Sequence, residues 1–288
     1  MITVIKQDGD QEEFSRKKLR ESLRRSGVSE WLIDEIAHEA EKKFARKKKI
    51  PTEKIYAFVR QRLQKKSKRS LPRYTVKRSL LTLGPTGFPF EQFLAKIFEA
   101  KGFRTRTGQI IQGACVPHEV DVVAWDEHVL MFIEVKFHNR LKLRSDTKTA
   151  LYIKARIDDL AQTRSTFPGS PSKMTQGVLV TNTKFTSTAL KYGLCAGLDM
   201  ISFDFPKKGN LYDLIDETGL HPLTCLTELS KGHKKALLDQ GVVTCKILAE
   251  DPKLLDRLNM NPQKQERILD EVNAICYHNE HDESQRRS

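Results

Sequence analysis

Apolar residues recur at helical spacing through the first third of the chain, after a short β-branched run. Residues 2–6 predict a strand, and Ser15 is placed to cap the helix that follows. Two further helices are predicted at 29–45 and 52–64. The Gly- and Pro-rich stretch at 84–89 cannot continue a helix and marks a boundary. The pattern predicts a small, mostly helical first unit opened by a strand.

A different pattern begins at Phe90, where short β-branched runs alternate with helical stretches. A helix is predicted to start there and to end at Gly102. Strand-like runs follow at 120–125, 129–135, 177–181 and 200–205, and helical stretches at 148–166 and 185–196. Helices interleaved with strands indicate an α/β sheet. From Pro222 onward, apolar residues at helical spacing between breaks predict a compact bundle of short helices.

These changes of pattern predict a multidomain α/β protein. We expect a mostly helical unit at 1–84, a mixed α/β/α sheet at 85–220 and a helical bundle at 221–278. The polar tail at 279–288 is expected to be disordered. The linker after the first unit is short, so neighbouring units are expected to touch.

Composition favours a globular chain in the cytoplasm. The 288 residues are 39% hydrophobic and 30% charged, which leaves enough apolar material for real cores. No run approaches the roughly 18 apolar residues that cross a bilayer, and the acidic start is unlike a secretory signal. The five cysteines are odd in number and form no Cys-x-x-Cys pair. A reducing compartment is expected, without a disulfide framework or a zinc ribbon.

Positive charge is concentrated in the first unit. Residues 1–84 carry 23 Lys and Arg against 11 Asp and Glu, whereas the net charge of the whole chain is +13. Such a surface attracts polyanions, and the attraction weakens with salt. Nucleic acid or nucleotide is therefore an expected partner. The alternative is a solvated helix face followed by a basic linker.

Charged residues interrupt one apolar hairpin in the central unit. A two-residue turn at 127–128 places Asp121 opposite Glu134. The same count places Glu119 opposite Lys136, and strand alternation puts all four side chains on one face. A three-residue turn would instead leave Asp121 diagonal to Glu134.

Two directly opposed carboxylates repel each other and weaken a sheet. A hard divalent cation such as Mg²⁺ would offset that repulsion and keep water ligands for a reaction. Lys136 is then placed to orient or polarise a water that attacks phosphorus. The alternative is that Glu119 and Glu134 simply pair with Lys136 on a solvated sheet face.

The central unit also resembles a nuclease family. An acid followed about a dozen residues later by Glu-x-Lys is similar to the PD-(D/E)XK superfamily motif, and the surrounding text resembles its Mrr-like restriction endonuclease branch. The similar stretches are PFEQFLAKIFEAKGF, HEVDVVAW, FIEVKFH, GVLVTNTKFTSTALKYG and ISFDFP. The resemblance implies a restriction-endonuclease-like fold that cleaves DNA with Mg²⁺ or Mn²⁺. The implied catalytic residues are Glu91, Asp121, Glu134 and Lys136, and the implied metal ligands are Asp121, Glu134 and the Val135 carbonyl.

The first unit resembles the ATP-cone, a regulatory nucleotide-binding domain. The similar stretches are VIKQDGDQEEFSRKKLRESL and RYTVKRSL. The resemblance implies that ATP or dATP binds as a regulatory ligand near Val4, Lys6, Gln7, Lys18, Tyr74 and Arg78. In that set Val4 would border the base, Lys6 and Lys18 would meet phosphates, and Gln7 replaces the usual Arg. The sequence has no Gly-x₄-Gly-Lys-(Ser/Thr) loop, so we expect nucleotide to be sensed rather than hydrolysed.

The third unit, at 226–276, is similar to helix-hairpin-helix or sterile-alpha-motif-like modules. Its net charge is close to zero, so protein contact or self-association is at least as well supported as DNA contact.

Together these observations predict an Mg²⁺-dependent DNA endonuclease regulated by ATP or dATP. One alternative is a nucleotide-responsive DNA-binding regulator that holds DNA without cutting it. Another is a structure-specific or RNA-directed nuclease with the same chemistry. A homodimer is expected, because cutting both strands of a duplex takes two sites of this kind.

Overall fold

The computed structural model describes residues 2–6, 9–67, 70–164 and 166–276. Gln7 and the predicted tail at 279–288 lie outside the described residues. None of the helices in these ranges is long and apolar enough to cross a bilayer.

The N-terminal unit packs four helices beside a small sheet. Its elements are β1 (Thr3–Ile5), β2 (Gln11–Glu13), α1 (Arg16–Arg25), α2 (Glu30–Phe44), β3 (Lys49–Pro51), α3 (Thr52–Lys66) and α4 (Leu71–Leu80). Strand β1 pairs antiparallel with β2 and parallel with β3. The predicted cap is confirmed, because the Ser15 hydroxyl accepts a hydrogen bond from the Lys18 N–H. The buried faces of α1, α2 and α3 form a separate apolar core.

The central unit is built around a five-stranded mixed sheet. Its elements are α5 (Phe88–Ala100), β4 (Arg104–Gln112), β5 (Pro117–Trp125), β6 (Leu130–Lys136), β7 (Arg144–Ser145), α6 (Thr147–Ala161), β8 (Gln176–Thr181), β9 (Lys184–Phe185), α7 (Ser187–Cys195), β10 (Asp199–Ile201) and α8 (Leu211–Thr218). The sheet order is β10-β8-β6-β5-β4. Strands β4, β5 and β6 are antiparallel neighbours, whereas β8 is parallel to both β6 and β10. One face packs on α5 and the other on α6 and α7.

Two features of this sheet differ from the sequence expectation. Strand β4 was not predicted, because its polar sequence RTRTGQIIQ alternates between exposed and half-buried positions and has no apolar run. The run expected at 200–205 ends as a strand at Ile201, since Ser202 and Phe205 bridge each other and turn the chain.

The C-terminal unit contains short helices, as predicted. They are α9 (Lys231–Leu238), α10 (Cys245–Glu250) and α11 (Pro262–Cys276), with 3₁₀ turns at Leu223–Cys225 and Pro252–Leu258. Their apolar side chains join those of α4, α5 and the sheet in one continuous core. The core therefore runs across both predicted boundaries, near 84 and near 220.

Candidate functional site

The hairpin of β5 and β6 has the register that the sequence predicts. Val122 lies opposite Ile133, and Trp125 lies opposite Leu130. Continuing the same count brings Asp121 across from Glu134. The register follows from the short turn and from the apolar alternation of both strands.

Asp121 stands where the backbone ladder is interrupted. The ladder between β4 and β5 pairs residues on both sides of Gly108 and Asp121, but it does not pair these two with each other. Gly108 has a φ of +59°, a left-handed conformation that favours glycine. On the other side, the Val135 N–H donates to Asp121 Oδ2 at 2.7 Å. The Asp121 carboxylate is thus fixed beside β6 by a backbone donor.

Glu134 is the most buried acid of the site, with 2% of its surface exposed. Its Oε2 accepts a hydrogen bond from Arg156 Nη1 at 2.7 Å. Its Oε1 is buried and has no hydrogen-bond partner among the described residues. A buried carboxylate oxygen without a partner is costly, and a bound cation would satisfy it.

Arg156 is a site residue that the sequence analysis did not find. It lies on α6 between two buried residues, Ile153 and Ile157, and so faces the sheet. Besides Glu134, it reaches the Glu119 backbone carbonyl, to which Nη2 donates. A charge placed between two core positions of a helix is the only local signal for it. Because Glu134 pairs with Arg156, the arrangement in which Glu134 pairs with Lys136 does not describe this site.

Glu91 approaches the same place from the first turn of α5. Burial, followed by the charges of Asp121 and Glu119, raises the pKa of Glu91 to about 7. Burial and the charge of Asp121 raise the pKa of Glu134 to about 8, against the opposing effect of Arg156. Burial also raises the pKa of Asp121, although the Val135 N–H opposes it. Three carboxyl groups therefore share a confined region and disfavour one another's charge.

Lys136 ends strand β6 with an exposed side chain. Its positive charge lowers the pKa of Asp121 and also contributes to the lowered pKa of His138, whose main cause is burial. Lys136 is therefore close to the carboxylates and open to solvent. The structure brings together all four of the predicted catalytic residues, which we call the carboxylate site: Glu91, Asp121, Glu134 and Lys136.

Within the described ranges, no group of three or more His, Cys, Asp and Glu side chains is arranged to hold a metal. One oxygen of Glu134 faces Arg156, and one oxygen of Asp121 faces the Val135 N–H. The atom that best fits a cation is Glu134 Oε1, which is buried without a partner. Asp121 and Glu134 thus have the right chemistry for a hard cation, and Arg156 supplies the counter-charge seen here.

The two histidines nearest this site have structural partners. His118 Nε2 lies 2.8 Å from Asp159 Oδ2, and Asp159 also accepts from the backbone of Cys115 and Val116. His138 Nε2 lies 3.1 Å from Ser145 Oγ. Both side chains therefore orient loops around the sheet.

A second cluster of predicted residues lines a cavity of about 370 Å³ in the N-terminal unit, which we call the cone cavity. Val4, Lys6, Lys18 and Arg78 all contribute to its wall. Val4 lies on β1 and Lys6 directly after it, whereas Lys18 lies on α1 and Arg78 on α4, so only the tertiary fold brings them together. Gln7, predicted for the same site, lies outside the described residues.

Tyr74 lines an adjoining cavity of about 330 Å³ that shares Arg78 with the cone cavity. Its ring stacks on Tyr56 at a centroid distance of 5.4 Å. The Arg78 guanidinium lies 3.8 Å from the centre of the Tyr56 ring. Burial raises the pKa of Tyr74 well above its usual range, so its hydroxyl stays protonated.

Glu12 occupies the basic wall of the cone cavity. Its Oε2 lies 2.9 Å from Lys6 Nζ and 2.6 Å from Lys18 Nζ. These two contacts hold the pKa of Glu12 below its usual value, with Lys18 as the larger cause. A carboxylate therefore stands where two lysines converge, as a phosphate oxygen could.

Comparison with known proteins finds family matches for two parts of the chain. Residues 2–81 match the ATP cone domain family, and residues 221–276 match the family described as AF1548-like, C-terminal. An uncharacterized protein of Archaeoglobus fulgidus is 31% identical over 183 residues, which are 63% of this chain and 99% of the relative. The chain belongs to the AF1548-like family.

A solved structure of the AF1548-like family is also similar. It is the crystal structure of a protein of unknown function, AF1548, with 30% identity and a TM-score of 0.54. The match covers 98% of that chain and 66% of this one. The resemblance of the first unit to the ATP-cone is confirmed by the family match at residues 2–81.

Proposed function

We propose that this AF1548-like protein is a cytoplasmic, Mg²⁺-dependent DNA endonuclease regulated by ATP or dATP in its ATP-cone. The observation that carries the proposal is the convergence of Glu91, Asp121 and Glu134 beside Lys136, with Glu134 Oε1 buried and without a partner. Packing three acids together destabilises a fold unless the arrangement serves a ligand.

Burial separates this arrangement from an ordinary charged surface. Glu134 follows the core residue Ile133 along β6, and only 2% of its surface is exposed. Solvated acids on a sheet face keep nearly normal pKa values, whereas the pKa of Glu134 is raised to about 8. Strongly shifted carboxyl groups are concentrated at functional sites.

Each residue of the carboxylate site has a separate role in the proposed reaction. Asp121 and Glu134 would hold Mg²⁺ or Mn²⁺, with Glu91 as a further ligand or water partner and the Val135 carbonyl beside them. When bound, such a cation lowers the pKa of water and offsets charge on phosphate oxygens. Lys136 orients the attacking water and adds positive charge at the exposed edge, where a DNA phosphate can approach.

The ATP-cone supplies the regulatory half of the proposal. Its cavity gathers Lys6, Lys18 and Arg78, and such convergent cations bind a polyphosphate. Nucleotide would alter cleavage by binding one arrangement of the chain, or one oligomer, more tightly than another. A homodimer would place two carboxylate sites on one duplex.

One observation favours a second function, a nucleotide-responsive regulator that binds DNA without cutting it. Arg156 Nη1 donates a hydrogen bond to Glu134 Oε2 at 2.7 Å, and its positive charge offsets the charge of a proposed metal ligand. If that pair persists on DNA, the same fold would hold DNA through its basic surface alone. A structure-specific or RNA-directed nuclease would share the chemistry of the first proposal and differ only in substrate.

The decisive experiment incubates the full chain with supercoiled plasmid, methylated DNA, a DNA junction or RNA. Each reaction contains Mg²⁺, Mn²⁺ or a chelator, with and without ATP and dATP. We expect metal-dependent cutting that Asp121→Ala and Lys136→Ala each slow by at least about 100-fold, since the first variant loses a proposed metal ligand and the second loses the group that orients the attacking water. Lys136→Ala should keep its DNA affinity on a gel.

Two exposed residues provide matched controls. Glu127 lies in the turn of the same hairpin with 81% of its side chain exposed, and Lys191 is exposed on α7. Glu127→Ala and Lys191→Ala should cut as fast as the wild-type chain. If the chain binds DNA equally well with metal and with chelator, and no cleavage product forms, the result would favour the regulator instead.

A further inference from the structure

We propose that the nucleotide of the ATP-cone is held by a residue from outside the cone, Lys142, which follows strand β6 of the central unit. The bound ligand would be the phosphate chain of ATP or dATP, shared between two units of the protein. This inference rests on the nucleotide part of the proposed function and is independent of the cleavage chemistry.

Residues of the central unit form part of the wall of the cone cavity. Leu141 and Lys142 line it together with Lys6, Lys18 and Arg78. Leu141 also lines the adjoining cavity that contains Tyr74. Leu141 therefore borders both cavities, although it lies sixty residues beyond the end of the ATP-cone match at position 81.

Charge in the cone cavity favours a polyanion that reaches Lys142. Two of the three acids of the wall, which are Glu12, Glu13 and Glu53, pair with cations of the cone itself. Glu12 pairs with Lys6 and Lys18, and Glu53 pairs with Arg78 at 3.5 Å. A phosphate group would replace Glu12 between its two lysines. A triphosphate carries more charge than one carboxylate and extends further, so an exposed Lys142 on the same wall can contact it.

The segment that carries Lys142 begins directly after Lys136 of the carboxylate site, where hydrogen bonds hold it to the end of β8. The Lys136 carbonyl accepts a hydrogen bond from Thr181 Oγ1 at 2.8 Å. The His138 N–H donates to Asn182 Oδ1 at 2.8 Å, and the His138 carbonyl accepts from Asn182 Nδ2 at 2.7 Å. Residues 139–142 then span from this anchor to the cone cavity.

This geometry connects the two sites through six residues of one segment. A phosphate bound to Lys142 would hold residues 139–142 between the cone and the end of β8. It would favour the arrangement in which the cone lies against the central unit. Nucleotide binding and the position of Lys136 would then be linked by contacts that exist in only one arrangement.

The test measures nucleotide affinity of the full chain by calorimetry, in the absence of DNA and with chelator. We expect Lys142→Ala to weaken ATP binding about ten-fold, the loss of one charge-assisted hydrogen bond, and to leave adenosine binding unchanged. Lys142→Arg should retain most of the affinity. Hydrogen exchange should show that ATP protects the amides of 139–142 in the wild-type chain and not in Lys142→Ala.

Arg140→Ala is the matched control. Arg140 carries the same charge two residues earlier and lines a neighbouring cavity rather than the cone cavity. It should bind ATP like the wild-type chain. Equal losses in both variants would show a diffuse charge effect, and no loss in Lys142→Ala would show a solvated lysine; either result overturns the inference. A wild-type chain that binds no ATP also overturns the inference. That result would not affect the proposed DNA cleavage, which is tested separately with Asp121→Ala and Lys136→Ala.

Discussion

Glu134 is buried in the sheet core, and its pKa is raised to about 8 by burial and by Asp121. The folded chain therefore keeps a proton that the unfolded chain releases near the ordinary glutamate pKa of 4.5. A state that binds more protons is favoured at low pH, so this group stabilises the fold less and less as pH rises from 4.5 to 8. Glu91, with a pKa of about 7, acts in the same direction.

Replacing Glu134 should therefore change how stability depends on pH. In the wild-type chain without metal, the free energy of unfolding should fall between pH 5 and pH 8, by at most about 1.4 kcal/mol per pH unit for each proton. Glu134→Gln should flatten this fall, because the amide keeps an acceptor for Arg156 and cannot ionise. Urea unfolding at pH 5, 7 and 8.5 measures the effect, with the exposed Glu127→Gln as control. A slope unchanged in Glu134→Gln would contradict the raised pKa.

Bound metal should oppose the loss of stability at high pH. At pH 8.5, Mg²⁺ should raise the unfolding temperature of the wild-type chain and leave that of Asp121→Ala unchanged, because only an intact site gains binding energy. A scan with increasing Mg²⁺ measures this without any substrate. Equal stabilisation of both chains would place the cation elsewhere.

Between elements, the packing of β8 against α6 determines where Arg156 lies. Gly177 of β8 faces α6 so closely that an added Cβ would lie 2.5 Å from Ile157 Cγ2. Ile157 is the neighbour of Arg156, so the absence of a side chain on β8 allows the helix to approach the sheet. A change at Gly177 should move Arg156 away from Glu134.

Gly177→Ala should destabilise the chain by about 1–3 kcal/mol, the usual range for overpacking. Ile157→Ala creates room at the same place, so the double variant should lose less than the sum of the two single variants. Gly232→Ala on α9 is the control, since an added Cβ meets no atom closer than 3.9 Å and alanine favours a helix. Additive losses in the double variant would show that the two residues do not touch.

Across the whole molecule, α4 connects the cone to the rest of the chain. Tyr74 and Arg78 face the cavities of the cone, whereas Val76 and Leu80 belong to the core that includes the sheet and the C-terminal helices. Further contacts bridge the same boundary. The Tyr212 hydroxyl donates to the Arg25 carbonyl at 2.6 Å, the Thr224 hydroxyl donates to the Ser79 carbonyl at 2.7 Å, and Arg73 pairs with Asp216 at 3.3 Å.

Substitutions of two leucines, one in each core, can distinguish the two cores. Leu80→Ala should destabilise the sheet and the C-terminal helices by about 2–5 kcal/mol, although Leu80 lies within the ATP-cone match. Leu32→Ala, equally buried but in the core of the cone, should act on residues of the cone alone. Regional hydrogen exchange resolves the two effects. Faster exchange confined to the cone in Leu80→Ala would show that the core is not shared.

The sequence by itself determined the elements and the register of the site hairpin. Alternating apolar residues and a two-residue turn are local signals, so Asp121 and Glu134 could be aligned by counting from the turn at 127–128. The N-cap at Ser15 follows from equally local chemistry. Strand β4 could not be predicted in this way, because its half-exposed residues show no apolar pattern.

Only the tertiary structure decided which distant residues meet. Arg156 reaches Glu134 across 22 positions, and Lys142 lines the same cavity as Lys18 although the two belong to different units. No periodicity in the sequence encodes these contacts, because they depend on how α6 packs on the sheet and how the cone packs on the central unit. The residue types that carry the candidate chemistry can be read along the chain, while their partners arise from burial of apolar faces that bring remote segments together.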